Sequence, residues 1–113
     1  PFLFEGQLPD LNLGTNSGTT CAPEIEKTAV EVCSSAEGYN SVLNERFKGG
    51  WTTRYYGDPA NGIHAIQLEI SQRTYMNEFH PWIYNGEKAK NLRIHLKKLL
   101  VSLEQMVIKK TIA

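Results

Sequence analysis

The stretch GIHAIQLEIS, Gly62 to Ser71, predicts a β-strand and thereby sets the class of fold. Apolar and polar residues alternate in part along it, as they do in a strand with one face towards a core. A period of two divides the side chains between two faces, with His64, Ile66 and Leu68 on the first and Ala65, Gln67 and Glu69 on the second.

Glu69 has two interpretations. A carboxylate near the end of a strand in an α/β sheet commonly faces the crevice in which ligands bind. A glutamate is also an ordinary residue on the solvent side of an edge strand. The alternation pattern favours neither interpretation.

A helix and a second strand are predicted before this stretch. Pro23 suits the first position of a helix, and apolar residues at helical spacing predict an amphipathic helix over 23–36 that ends near Gly38. A short strand is predicted at 41–44. Residues 1–20 are rich in turn formers and are predicted to be irregular.

A long final helix is predicted after a loop that contains Pro81. Asn85 can cap this helix, which runs to about residue 109. Its predicted apolar stripe consists of Leu92, Leu96, Leu99, Leu100, Leu103, Met106 and Val107. The order helix, strand, strand, helix predicts an α/β sheet protein or part of one.

Length and charge limit the possible functions. The chain has 113 residues, enough for one small domain, and it starts within what reads as an ordered segment, so we expect a piece of a longer protein. Its 12 basic and 12 acidic residues balance, which disfavours nucleic acid and membrane surfaces as partners. No apolar run approaches the roughly 20 residues of a membrane span.

Seven of the 12 basic residues lie between Lys88 and Lys110, in the predicted last helix. Such a helix is either a basic surface for nucleic acid or anionic lipid, or a solvated face opposite the apolar stripe. Because the helix lacks aromatic residues that could stack on bases, we favour the solvated face.

The segment LNERFKGGWTTRYYG, residues 43–57, concentrates cations around a pair of glycines. We call it the cationic segment. A helix or a regular strand would not hold Gly49 and Gly50 cheaply, so a loop is predicted. Its cations can face a carboxylate, a phosphate or only water.

The cysteines and histidines form no metal-binding motif. Cys21 and Cys33 are predicted to be reduced structural thiols of a cytosolic protein, with a single bridge as the alternative. His64 is predicted to be a hydrogen-bonded core residue rather than a ligand. Among His64, His80 and His95 no pair has i, i+4 spacing, so no zinc site is predicted.

Three blocks of sequence carry a resemblance to a known family. They are LPDLNLGTNSGTTC, VLNERFKGGWTTRYYG and GIHAIQLEISQRTYM, and they cover nearly the whole chain in this order. The run RFKGG-x-x-T-R and the strand HA-x-Q-x-E are the most specific parts. In these blocks the chain resembles the C-terminal part of the N-formylglutamate amidohydrolase family.

The resemblance implies a fold, a reaction and a cofactor. The fold would be the C-terminal portion of a three-layer αβα, zinc-carboxypeptidase-like (phosphorylase/hydrolase-like) architecture with a mixed sheet. Residues 1–113 would form a single domain or domain fragment whose N-terminal half is absent. The reaction would be cleavage of N-formyl-L-glutamate to L-glutamate and formate in histidine degradation, in the cytoplasm. The intact enzyme would hold zinc through ligands upstream of Pro1, so the chain alone is expected to hold no metal and to be inactive.

The implied substrate is a small amide with two carboxylates, which gives the cationic segment a role. Arg46 and Arg54 offer planar forks of donors that suit carboxylates, and Lys48 adds a point charge. Gly49 and Gly50 let the backbone bend and approach the ligand.

The remaining implied site residues lie on or beside strands. Glu69 would be the general base, Gln67 on the same face would orient water or substrate, and Asn44 would contact the substrate. The sequence departs from the family pattern at Glu45, where a glycine is typical, and at Tyr55, where a histidine is common. Tyr55 is therefore given no role in proton transfer.

Two other functions remain open from the sequence. A related N-acyl-amino-acid amidohydrolase would share the same residues and accept a different acyl group. A phosphate- or RNA-binding module could use the cations, glycines and aromatic residues of the cationic segment, although that segment lacks the P-loop pattern.

Overall fold

Three short strands form a mixed sheet in the computed structural model, which describes residues 7–109. The strands are β1 (Leu11–Gly14), β2 (Ser41–Leu43) and β3 (Gln67–Ile70). The helices are α1 (Pro23–Ser34), α2 (Trp51–Tyr56) and α3 (Gly86–Lys109), and single 3-10 turns cover Pro59–Asn61 and Gln72–Thr74. β1 is the central strand, parallel to β2 and antiparallel to β3. An α/β unit with a mixed sheet is therefore confirmed.

The prediction that residues 1–20 are irregular is wrong for β1. Leu11–Gly14 form the central strand and all four residues are buried. The run is only four residues long and lies between turn formers, so its local signal is that of a loop. Pairing with neighbours on both sides overrides that weak local preference. The part of the prediction that covers residues 1–6 lies outside the described residues.

The predictions for α1 and β2 are confirmed. Pro23 occupies the first turn of α1, where its missing N–H costs no hydrogen bond, and Glu24 and Glu26 lie near the positive end of the helix. α1 ends at Ser34 and β2 covers Ser41–Leu43, each slightly shorter than predicted.

β3 is also shorter than the predicted strand over 62–71. Residues 62–66 of the predicted strand do not pair with β1. Instead the backbone N–H of Ala65 donates to the carbonyl of Thr20 at 2.9 Å, and the Thr20 hydroxyl donates to the carbonyl of Ala65 at 2.8 Å. These bonds tie the segment before β3 to the turn after β1.

The two faces of the sheet differ in polarity. Leu11 and Leu13 pair in register with Ile70 and Leu68, and these residues lie on the face that packs against α1 and α3. The core on this face includes the buried residues Leu11, Leu13, Ala29, Cys33, Leu92 and Leu99. The opposite face, which we call the polar face, carries Asn12, Gln67 and Glu69. The predicted division of the side chains of β3 is thus confirmed.

α3 begins as predicted and is helical through Lys109, the last described residue, but its apolar stripe is narrower than predicted. The side-chain oxygen of Asn85 accepts the backbone N–H of Lys88 at 3.1 Å and so caps the helix. Leu92 and Leu99 are buried, whereas Leu100 and Val107 are 68% and 56% exposed. The prediction was wrong for these two because each successive residue is turned about 100° around the helix, and only one side of α3 packs against α1.

Within residues 7–109, no helix is both long enough and apolar enough to span a membrane.

Candidate functional site

The cationic segment is a loop over residues 44–50 followed by α2. The prediction of a loop throughout was wrong, because Trp51–Tyr56 are helical. Gly50 is the N-cap of α2 and Gly49 lies before it with φ 145°, a backbone conformation that favours glycine. Because the glycines precede the helix, their cost inside a helix does not apply.

The loop lies across the end of β1. The side-chain amide of Asn12 donates to the carbonyl of Phe47 at 2.8 Å, and the backbone N–H of Asn16 donates to the carbonyl of Lys48 at 2.6 Å. A Cβ atom at Gly14 would lie 2.8 Å from that carbonyl oxygen of Lys48. The absence of a side chain at Gly14 therefore permits the loop to approach this closely.

Gln67 connects the cationic segment to Glu69. Its Oε1 accepts the backbone N–H of Gly50 at 2.6 Å, and its Nε2 donates to Oε1 of Glu69 at 3.2 Å. The N–H of Gly50 fixes which end of the amide is the acceptor, so the donor end must face Glu69. The structure thus brings together three of the predicted site residues: Gly50, Gln67 and Glu69.

Arg54 extends from α2 back over the loop. Its Nη1 donates to the carbonyl of Gly49 at 2.8 Å, and the residue is exposed. A guanidinium has five N–H donors, so this bond orients the group and leaves donors for an anion. Arg46 is half-buried and Lys48 is exposed, and both lie in the same loop as Gly49. The three cations of the cationic segment therefore lie within one loop and the helix that follows it.

Asn44 uses both ends of its side-chain amide on Thr15. It has φ 53°, in the left-handed region that asparagine tolerates. Its Oδ1 accepts the backbone N–H of Thr15 at 2.9 Å, and its Nδ2 donates to the hydroxyl of Thr15, also at 2.9 Å. That hydroxyl donates in turn to Glu26 at 2.6 Å. Asn44 therefore fixes the start of the loop.

Asn12 is a polar residue of the site that the sequence predictions missed. It is directly opposite Glu69 in the register of β1 and β3, and it is only 2% exposed. The signal was available, because a polar residue between Leu11 and Leu13 is what a strand with one polar face requires. Assigning residues 1–20 to irregular structure concealed it.

Two histidines contact other residues of the chain, and both cysteines are buried. Nδ1 of His64 accepts the backbone N–H of Ala22 at 3.0 Å, so the predicted hydrogen bond is present, although the residue is half-buried rather than in the core. The His95 ring packs edge-on against Tyr39. Cys21 and Cys33 are free and buried. Among residues 7–109, no group of three His, Cys, Asp or Glu side chains could hold a metal ion.

Burial raises the pKa of the Cys21 thiol to about 11, and the nearby Glu26 carboxylate adds to that increase. Burial also raises the pKa of the Cys33 thiol. A thiol with a raised pKa is a poor nucleophile near neutral pH, so neither cysteine is suited to nucleophilic catalysis.

The fold and the polar face define a class: an α/β protein in which a cationic segment and a carboxylate meet at one face of a mixed sheet. A sequence model of the N-formylglutamate amidohydrolase family matches residues 1–76. This match covers more than half of the chain, and the chain belongs to that family.

Two curated relatives are similar over 103 residues, or 91% of this chain. The N-formylglutamate deformylase of Pseudomonas aeruginosa is 50% identical, and that of Pseudomonas putida is 52% identical. The chain spans 39% of the length of each.

A solved structure supports the same grouping. The crystal structure of N-formylglutamate amidohydrolase from Ralstonia eutropha aligns with a TM-score of 0.79 at 27% identity, and the alignment covers 95% of this chain and 37% of that one.

Proposed function

We propose that this chain is the part of an N-formylglutamate deformylase that binds the substrate carboxylates and supplies the general base. The observation that carries the proposal is the hydrogen-bonded path from Gly50 through Gln67 to Glu69, which joins the cationic segment to a carboxylate. The names of the two Pseudomonas relatives supply the substrate.

The substrate has two carboxylates on either side of a formamide. Arg46 and Arg54 would each receive a carboxylate through paired N–H donors, and Lys48 would add attraction without a fixed geometry. The bond from Arg54 to the carbonyl of Gly49 orients its guanidinium before a ligand arrives. Less conformational freedom is then lost on binding. Asn44 enters the proposal through the shape of the loop that holds these groups.

Glu69 would accept a proton from the water that attacks the formyl carbon and return it to the departing nitrogen. Gln67 would hold the carboxylate in place, because its amide donates to one carboxylate oxygen and leaves the other open. Proton transfer of this kind typically contributes about 10²–10⁴-fold to a rate.

Zinc belongs to the proposal only through the family resemblance. The residues at 7–109 provide no group of three ligands, so they do not fit a zinc site, and no step is assigned to a metal here. We further propose that ligands lie upstream of Pro1, that residues 1–113 are one part of a three-layer αβα fold, and that the enzyme is cytoplasmic. The free, buried cysteines suit a reducing compartment.

The test uses the intact enzyme, by which we mean this chain within a protein of its relatives' full length. Release of the free amino acid is measured with N-formyl-L-glutamate, N-formyl-L-glutamine and N-acetyl-L-glutamate. We expect the glutamine compound, which lacks one carboxylate, to lose kcat/KM by about 30-fold or more, because a charge-assisted contact contributes roughly 2–3 kcal/mol. Equal rates for both formyl compounds would refute recognition of the side-chain carboxylate, and a preference for the acetyl compound would indicate a different acyl specificity.

A further inference from the structure

Asn12 has a buried amide oxygen with no hydrogen-bond partner among residues 7–109. The residue is 2% exposed. Its Nδ2 donates to the carbonyls of Phe47 and Leu13, at 2.8 and 3.1 Å, so both amide protons are used and the orientation of the amide is fixed. Since almost all buried polar atoms of native proteins have a partner, this oxygen calls for an explanation.

The oxygen belongs to a residue that borders a small cavity shared with Glu69. The cavity has a volume of about 60 Å³, and its lining includes Asn12, Phe47, Glu69 and Ile70. Asn12 and Glu69 are paired in register across two antiparallel strands, and such pairs have Cβ atoms about 4.5–5.5 Å apart on the same face. Their side chains therefore lie within reach of one small molecule.

The chemistry of the two groups limits what that molecule can be. The amide oxygen of Asn12 and the ionised carboxylate of Glu69 are both acceptors. An occupant that satisfies both must donate two hydrogen bonds, and water is the smallest that does so. A water molecule needs roughly 10–15 Å³ and at least two polar partners. The cavity volume is sufficient, and Asn12 and Glu69 are two lining residues that carry acceptors.

We propose that Asn12 is a positioning residue of the hydrolytic site, and that its amide oxygen and the Glu69 carboxylate hold the attacking water between them. The catalytic part of this inference rests on the proposed function. In the reaction the water oxygen bonds to the formyl carbon and one water proton passes to Glu69. The C–N bond then breaks and that proton moves to the departing nitrogen. The products are formic acid, which ionises, and glutamate.

The first test is a crystal structure of the intact enzyme. We expect an ordered water within hydrogen-bond distance of both Asn12 Oδ1 and the Glu69 carboxylate. Asn12→Leu should lack this water, because leucine has a similar volume and no acceptor. If the wild-type enzyme shows no water there, the inference is wrong, whether or not the variant folds.

The second test is a double-mutant cycle on kcat. In the wild-type background Asn12→Leu should lower kcat at least tenfold, and in the Glu69→Gln background it should leave kcat unchanged. Asn12→Leu also removes the bonds from Nδ2 to Phe47 and Leu13, which can displace the loop and change KM. That change in KM should be equal in both backgrounds. Thr74→Val is the control: it removes a buried side-chain hydrogen bond, from the hydroxyl to the carbonyl of Ser71, where Asn12→Leu removes two, and kcat should be retained.

The outcomes separate the two proposals. Equal losses of kcat in both backgrounds would mean that Asn12 acts on stability alone and would overturn the inference. If the wild-type intact enzyme releases no formate from N-formyl-L-glutamate, the proposed function fails, and the crystal structure still decides whether Asn12 and Glu69 hold a water.

Discussion

At the scale of single residues, Glu69 is the group on which the proposed chemistry depends. Glu69→Gln keeps the shape of the side chain and removes its basic oxygen. In the intact enzyme we expect kcat to fall by roughly 10²-fold or more with substrate affinity little changed, since general base catalysis contributes about 10²–10⁴-fold. Melting temperature and kcat are measured on the same preparation.

Glu45→Gln is a suitable control for that variant. Glu45 is also an exposed glutamate, lies in the loop next to Arg46 and has no role in the proposed reaction. The Glu45→Gln substitution should leave kcat within about twofold of the wild-type value. A folded Glu69→Gln enzyme that turns over normally would show that Glu69 is a structural residue.

Arg54 tests the recognition of the substrate. Arg54→Ala removes a charge-assisted contact and should lower kcat/KM by about 30- to 150-fold, which corresponds to roughly 2–3 kcal/mol. Arg54→Lys should recover only part of the loss, because an ammonium lacks the planar fork. Lys97→Ala, which removes an exposed cation from α3, serves as the control. Loss of less than twofold for both Arg54 variants would make Arg54 an ordinary surface cation.

Cys21 gives a prediction for pH dependence. Its folded pKa is about 11 and its ordinary value is 9.0, so the protonated thiol is favoured in the folded state. The stability that this group contributes is therefore fully present below pH 9 and is lost as the pH rises towards 11. We expect Cys21→Ala to reduce the loss of melting temperature between pH 9 and 11, relative to wild type. An unchanged slope would show that the Cys21 thiol does not titrate differently on unfolding.

At the scale of elements, the packing of the loop on β1 depends on Gly14. In Gly14→Ala the new methyl group would lie 2.8 Å from the carbonyl oxygen of Lys48, which is backbone and must move. We expect a loss of about 1–3 kcal/mol in stability, as for other overpacked sites, and a higher KM because the loop is displaced. Urea unfolding and substrate titration of the intact enzyme measure the two effects.

Gly86→Ala is the matched control for Gly14→Ala. Gly86 begins α3, and a methyl group there would meet its nearest neighbour, Tyr84, at 4.0 Å, which is ordinary contact. Alanine should be neutral or stabilising because it restricts the unfolded chain. If both alanine variants behave alike, the close approach of the loop to Gly14 is not what holds the loop.

The elements that the sequence predicted well are those whose signals are local. α1 and α3 have helical spacing, a proline at the first turn or an asparagine cap, and enough length for the pattern to repeat. β1 has only four residues, and its existence depends on two partners that are distant in sequence. The hydrogen bond from Asn12 to Phe47 could not be predicted for the same reason, since a bond between residues 35 positions apart leaves no periodic pattern in the sequence.

The same reasoning explains the cationic segment. Its composition left a carboxylate, a phosphate or only water as what the cations face, and it did not predict helix α2, which has Gly50 as its N-cap. The family resemblance implies roles for Glu69 and Gln67, and the structure adds the hydrogen bond between them. A sequence pattern does not show where side chains point after the bend at Gly49 and Gly50.

At the scale of the whole molecule, one face of the sheet packs against helices and the other carries polar groups. Leu11 and Leu13 lie under α1 and α3, while Asn12, Gln67 and Glu69 lie on the polar face. The chain spans 39% of the length of its curated relatives, and a site assembled at the polar face can draw residues from the remainder of such a protein. The division of labour that we propose follows: this chain binds the carboxylates and handles the proton.

That division predicts the behaviour of the 113-residue chain by itself. Because residues 7–109 contain no group of three metal-binding side chains, we expect the isolated chain neither to retain zinc nor to release formate from N-formyl-L-glutamate. Zinc content is measured after dialysis, and formate is measured at high protein concentration with the intact enzyme as the positive control. Circular dichroism on the same sample verifies that the chain is folded. Stoichiometric zinc together with turnover by these residues alone would contradict the division between this chain and the rest of the enzyme.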